Sequence, residues 1–108
     1  MINVRVLTMD DRQFDANVML QREEILMEAH HLISTDRAEQ YGSAADTHER
    51  IGKAWAAILD TEDIPSHTVA LMMVALKSIR AAKNPGYQDS WVDIAGYAAL
   101  GGEMADAE

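Results

Sequence analysis

Three groups of side chains could do chemistry in this sequence, and the spacing of each places its members on one side of a helix. Lys77, Arg80 and Asn84 are separated by three and four residues, so in a helix they extend a single row. Lysine offers a compact charge, arginine a planar fork matched to phosphate oxygens, and asparagine an adaptable amide. Together they suit a nucleotide phosphate or base. Asp89 and Asp93 lie four apart and would aim two carboxylates in one direction. Such a pair can hold Mg²⁺, whose remaining positions water and substrate phosphate fill. Glu24 and Glu28 form the third group. Glu28 falls between Ile25 and Leu32 on an apolar face, where a carboxylate needs a metal or a basic partner such as Lys77 or Arg80.

Each group also has a structural reading. Basic residues in the last turns of a helix complement its dipole. Ser90-Trp91-Val92-Asp93 matches a capping box, in which Ser90 caps a helix and Asp93 reaches back to its amide. Glu28 can be a partly exposed boundary residue. Trp91 and Tyr97 could stack a base, although aromatics at helical spacing more often fill a core. His30, His31, His48 and His67 lack the paired spacing of zinc sites and are read as non-catalytic. No Gly-rich phosphate loop, cysteine nucleophile or serine elbow occurs, so nucleotide chemistry here requires a helical pocket.

The elements that must position these residues follow from the apolar periods. Ile25, Ala29 and Leu32 predict a helix over about 22–33, and Ile51, Trp55, Ile58 and Leu59 one over about 44–59, with Asp46 or Thr47 near its start. A third helix over about 65–84, capped by Ser66, contains Val69 to Leu76, which is apolar all round and therefore expected at the centre. Asn84-Pro85-Gly86 stops it, and Asp89 or Ser90 opens a fourth over about 90–103. Short connections favour antiparallel neighbours, giving an all-α, four-helix bundle-like domain over 22–108. Residues 1–21 are read as an N-terminal arm, with three alternatives: a disordered leader, a strand from β-prone Ile2 to Leu7 added to a partner, or a short helix near Phe14 to Leu20. Three short neighbours do not cover a helix that is apolar all round, so a homo-oligomer is expected.

Composition narrows the class. At 108 residues the chain makes one domain, and with no cysteine it needs no oxidising compartment. It has no signal-peptide pattern and no apolar run long enough to span a bilayer, so a soluble, cytoplasmic protein is expected. Eighteen acidic against nine basic side chains give a net charge of −9, which repels duplex nucleic acid but leaves room for one basic pocket.

Four segments together resemble a small bacteriophage and prophage family that looks like a distant MazG-like group. They are Asp36-Arg37-x-x-x-Tyr41-Gly42; Arg50-Ile51 with Trp55; Val69 to Lys77 with Arg80; and Asp89-Ser-Trp-Val-Asp93-Ile-Ala-Gly-Tyr97. The match covers about residues 22–103. The resemblance implies a helical, usually oligomeric fold and Mg²⁺-dependent cleavage of nucleoside triphosphates to monophosphate and pyrophosphate, in the host bacterial cytoplasm if phage-encoded. The MazG-like metal signature is a Glu-x-x-Glu pair followed closely by Glu-x-x-Asp, whereas this chain has Glu24-x-x-x-Glu28 and, far later, Asp89-x-x-x-Asp93.

The reading that results is a nucleotide-binding protein. As a pyrophosphohydrolase it would use Glu28, Asp89 and Asp93 for catalysis, with Glu24 added to them around Mg²⁺. Arg37, Tyr41, Lys77, Arg80, Asn84, Trp91 and Tyr97 would hold the substrate. The alternatives are a non-catalytic binder of a nucleotide or nucleotide signal, which in a phage could blunt host defence, and a structural helical adaptor.

Overall fold

The structure, a computed structural model, describes residues 19–34 and 43–107. Four helices account for nearly all of them: α1 (Gln21–Ile33), α2 (Ala44–Leu59), α3 (Ser66–Lys83) and α4 (Gln88–Ala107). No strand occurs among the described residues, so the chain there is all-α, as its apolar periods predict. Most of the N-terminal arm lies outside the described residues.

The helix starts differ from expectation in two places, α3 and α4, while α2 begins at Ala44 as expected, with Asp46 in its first turn. Ser43, ahead of Asp46 and Thr47, caps α2: its hydroxyl accepts from the Asp46 amide at 3.1 Å. Pro65 takes the cap position of α3 and Ser66 is already helical, the Pro65 carbonyl accepting from the Thr68 and Val69 amides at 3.0 Å each. The fourth helix begins at Gln88, which leaves Ser90 inside it and 5 % exposed. The Ser90–Asp93 capping box is therefore overturned, because a buried residue in the first turn cannot also be the half-in residue before it. Asp93 is left to face another partner.

Chain order and spatial order differ. The α3 and α4 helices form the most extensive pair, α1 packs on α4 and α2 packs on α3, so the order across the molecule is α1, α4, α3, α2. The α3–α4 pair is an antiparallel hairpin in which Gly101 lies against Ala70. By contrast α1 runs the same way as α4, with Glu28 beside Gln88 and Ile33 beside Gly96. At the α2–α3 crossing, Gly52 lets the backbone of Ile64 come against the helix.

Small residues fill these contacts. Among the described residues the buried apolar side chains are Ala29, Ala56, Val69, Ala70, Ala81, Val92 and Met104, and the largest of these that are fully buried are the valines Val69 and Val92. On α2 the buried row is His48, Gly52 and Ala56, while Ile58 is 79 % exposed, so the inward face is rotated from the expected Ile51–Trp55–Ile58 stripe. The reason is steric: small residues let helix axes approach closely, which outweighs burying one large side chain at an end. The third helix also departs from its expected central place. It buries Val69, Ala70 and Ala81 but exposes Leu71, Met72, Leu76 and Ile79, because among the described residues α2 and α4 are its main neighbours.

Candidate functional site

The turn between α3 and α4 makes the candidate site. Asn84-Pro85-Gly86 ends α3, and the Tyr87 amide donates to the Asn84 carbonyl at 3.1 Å, folding α4 back along α3. Trp91 reinforces the turn by donating its indole N–H to the Pro85 carbonyl at 2.9 Å. Between the two helices opens a cleft of ≈ 380 Å³, lined on the α3 side by Lys77, Arg80, Lys83 and Asn84. On the other side stand Tyr87, Asp89, Ser90 and Asp93. The negative end of the α3 dipole and the positive end of the α4 dipole meet here and oppose each other, so the side-chain charges decide what the cleft attracts.

Those charges are three cations and two carboxylates. Lys77 Nζ lies 3.0 Å from Asp93 Oδ2, with the two side chains 17 % and 30 % exposed. Asp89 Oδ2 accepts from the Tyr87 hydroxyl at 3.0 Å. The guanidinium of Arg80 and the ammonium of Lys83 make no ion pair among the described residues, and both residues are exposed. Three of the chain's nine basic residues thus converge in a protein of net charge −9, leaving two cationic groups available to an anion.

A family model described as "Domain of unknown function (DUF6378)" matches residues 24–105. The chain belongs to that family. Among curated proteins, the "Gene 55 protein" of Mycobacterium phage L5 is 42 % identical over 76 residues, which are 70 % of this chain and 49 % of that protein. The chain therefore spans about half the length of the curated relative it matches. No solved structure matches. The match to DUF6378 takes in all of α3, the turn and nearly all of α4, so the whole described cleft belongs to the family's domain.

Within this DUF6378 domain the residues singled out by spacing separate into groups. Lys77, Arg80, Asn84, Asp89 and Asp93 share the cleft. Glu28 does not line it: its Oε1 accepts from Gln88 Nε2 at 3.2 Å on the α1 side of α4, and Glu24 stays on the exposed surface of α1. The expected meeting of Glu24 and Glu28 with the aspartates fails because Gln88 precedes Asp89 by one residue, which turns the two side chains about 100° apart around α4. Trp91 props the turn and does not line the cleft. Tyr97 faces a second, smaller cavity of ≈ 80 Å³ with Leu32, Ile33 and Leu100, and its ring lies tilted against His48. Arg37 and Tyr41 lie outside the described residues.

The cleft offers a magnesium ion one pair of carboxylates, Asp89 and Asp93, without Glu24 or Glu28. Among the described residues no three His, Asp or Glu side chains stand together to hold a metal. Asp93 already faces Lys77, and Asp89 accepts from Tyr87.

Sequence reasoning missed Lys83 and Tyr87. Lys83 is three residues beyond Arg80, a spacing that could have added it to the row. Tyr87 sits in the turn, where no periodicity points to it, yet it supplies the cleft's aromatic ring. The neighbouring Asp89 carboxylate, by hydrogen bond and by charge, pushes the Tyr87 phenol above its ordinary value of 10.0. A raised value means that the contact is complete below pH 10 and is lost as pH rises through the raised value. In an absorbance titration, Tyr87→Phe should remove an ionisation that lies above the ordinary phenol value, and Asp89→Asn should move that ionisation earlier. An unchanged curve in both variants would contradict the contact.

Proposed function

We propose that the chain binds a nucleotide or a closely similar phosphorylated small molecule in the α3–α4 cleft and does not turn it over. The observation that carries this reading is the gathering of Lys77, Arg80 and Lys83 with Asn84 and Tyr87 around one cleft in an acidic protein. A volume of ≈ 380 Å³ falls within the range of small-molecule sites, which begins at about 300 Å³. Arg80 and Lys83 hold phosphate oxygens, Asn84 offers an amide to the base or ribose, and Tyr87 gives the base a face to stack on. Lys77 stands in reserve, neutralised by Asp93 until an anion competes for it. In a phage such a protein would serve as a sink for a nucleotide or nucleotide signal of the host.

A second reading, Mg²⁺-dependent hydrolysis of nucleoside triphosphates, has one observation in its favour: Asp89 and Asp93 share the cleft with the basic row. The arrangement of the carboxylates favours the binder. Asp93→Asn separates the two. Removing one negative charge about 4 Å from a phosphate is worth about 1 kcal/mol even at the dielectric of water, so in a binder the variant should bind ATP roughly fivefold more tightly by calorimetry. In a hydrolase the same change would abolish Mg²⁺-dependent release of pyrophosphate. Weaker or unchanged ATP binding in a folded Asp93→Asn protein would overturn the binder.

A further inference from the structure

We infer that the α3–α4 cleft takes a guanine nucleotide, with Asp89 as the residue that selects the base. The inference rests on the nucleotide reading of the cleft and adds the identity of the base to it. Its starting point is the sign of the two walls: Arg80 and Lys83 stand on the α3 side, Asp89 and Asp93 on the α4 side. A ligand that is negative throughout would suit the first wall and be repelled by the second. A bipolar ligand fits both, with phosphate against α3 and hydrogen-bond donors against α4.

Of the two carboxylates, Asp93 is already engaged by charge, its Oδ2 lying 3.0 Å from Lys77 Nζ. Asp89 is the freer one. Its Oδ2 accepts from the Tyr87 hydroxyl at 3.0 Å, and no described residue bonds its Oδ1. A carboxylate has about four acceptor positions, so both oxygens of Asp89 can still accept. The same contact fixes where those oxygens stand, at the hydroxyl end of the Tyr87 ring. A base stacked over that ring has Asp89 beside one edge.

The bases differ in what they present along such an edge. Guanine offers two neighbouring donors, N1–H and the N2 amino group, which match the two oxygens of a carboxylate. Adenine and cytosine set one amino donor beside a ring-nitrogen acceptor, and uracil or thymine sets one N–H between two carbonyls. Each of these makes one bond to a carboxylate and turns a lone pair toward it. Guanine alone satisfies Asp89 twice. Its O6 then needs a donor, which the Asn84 amide can supply from the other end of the turn. The Tyr87 amide donates to the Asn84 carbonyl at 3.1 Å, so Asn84, Tyr87 and Asp89 are carried by one short turn at the edge of the cleft.

Titration calorimetry of the full chain with GTP, ATP, ITP and XTP, supplied without Mg²⁺, tests the assignment. GTP should bind roughly tenfold more tightly than ATP, the scale of one bidentate contact to a base. ITP, which lacks the amino group, should fall between them. Asp89→Asn keeps the size of the exposed side chain and an acceptor for Tyr87, but it presents one acceptor and one donor. That pattern matches the N1–H and O2 of xanthine, so the variant should lose its preference for GTP over ATP and bind XTP more tightly than GTP. Equal binding of GTP and ATP by the wild type overturns the inference and leaves the nucleotide reading standing. So does an Asp89→Asn protein that still prefers GTP. A chain that binds none of the four overturns both.

Discussion

Arg80→Ala should weaken binding of ATP by roughly 10- to 100-fold, with the thermal unfolding midpoint of the ligand-free protein almost unchanged. The guanidinium is exposed, lines the cleft and makes no ion pair among the described residues, so its removal leaves no buried charge behind. A charge-assisted hydrogen bond to phosphate is worth about 1.5 to 3 kcal/mol, which sets the lost affinity at that scale. Arg80→Lys should recover part of it, since the charge returns but the planar fork does not. Inorganic pyrophosphate should show nearly the same loss as ATP, because the residue is assigned to phosphate and not to the base. A loss confined to nucleotides would reassign Arg80 to stacking.

The largest effect on stability is expected at Gly52. A Cβ there would stand 2.1 Å from the carbonyl oxygen of Ile64 and 3.3 Å from Val69 Cγ2, so α2 and α3 would have to separate. In an open helix, glycine to alanine stabilises by about 1 kcal/mol. Overpacking against backbone costs on the order of 3 kcal/mol, so the clash wins and Gly52→Ala should destabilise by about 2 kcal/mol. For a domain of this size that lowers the melting midpoint by about 10 °C. Gly102 supplies the control, since a Cβ added there meets nothing within 4 Å and Gly102→Ala should raise stability by up to about 1 kcal/mol. Equal effects at the two positions would contradict the close α2–α3 crossing.

The sequence showed its helices more plainly than their packing. Apolar periods and the Asn84-Pro85-Gly86 stop place all four helices within a few residues, since these signals are local. Which face turns inward was harder to read, because burial is decided by what lies opposite. Alanine and glycine on α2 give a weak hydrophobic signal, yet Gly52 and Ala56 line the contact, while Ile58, a stronger signal, faces out. The basic row of Lys77, Arg80 and Asn84 was legible because one helix carries it. The separation of Glu28 from Asp93 was not, because it depends on the rotation of α4 relative to α1, which the Gln88–Glu28 hydrogen bond reveals. Asp93 was ambiguous between cap and site. Only the start of α4 at Gln88 and the contact with Lys77 separate those roles.

The central claim, a cleft that holds a phosphorylated ligand without consuming it, is tested most directly by titration calorimetry of the full chain. The probes are ATP, GTP, CTP, dTTP and pyrophosphate, each with and without Mg²⁺, with the mixtures then separated to measure monophosphate and pyrophosphate formed. The expected result is saturable binding of at least one nucleotide, one per chain, with the nucleotide recovered intact under both conditions. The account is contradicted if every probe fails to bind at millimolar concentration, or if Mg²⁺ brings steady conversion of a triphosphate to monophosphate and pyrophosphate.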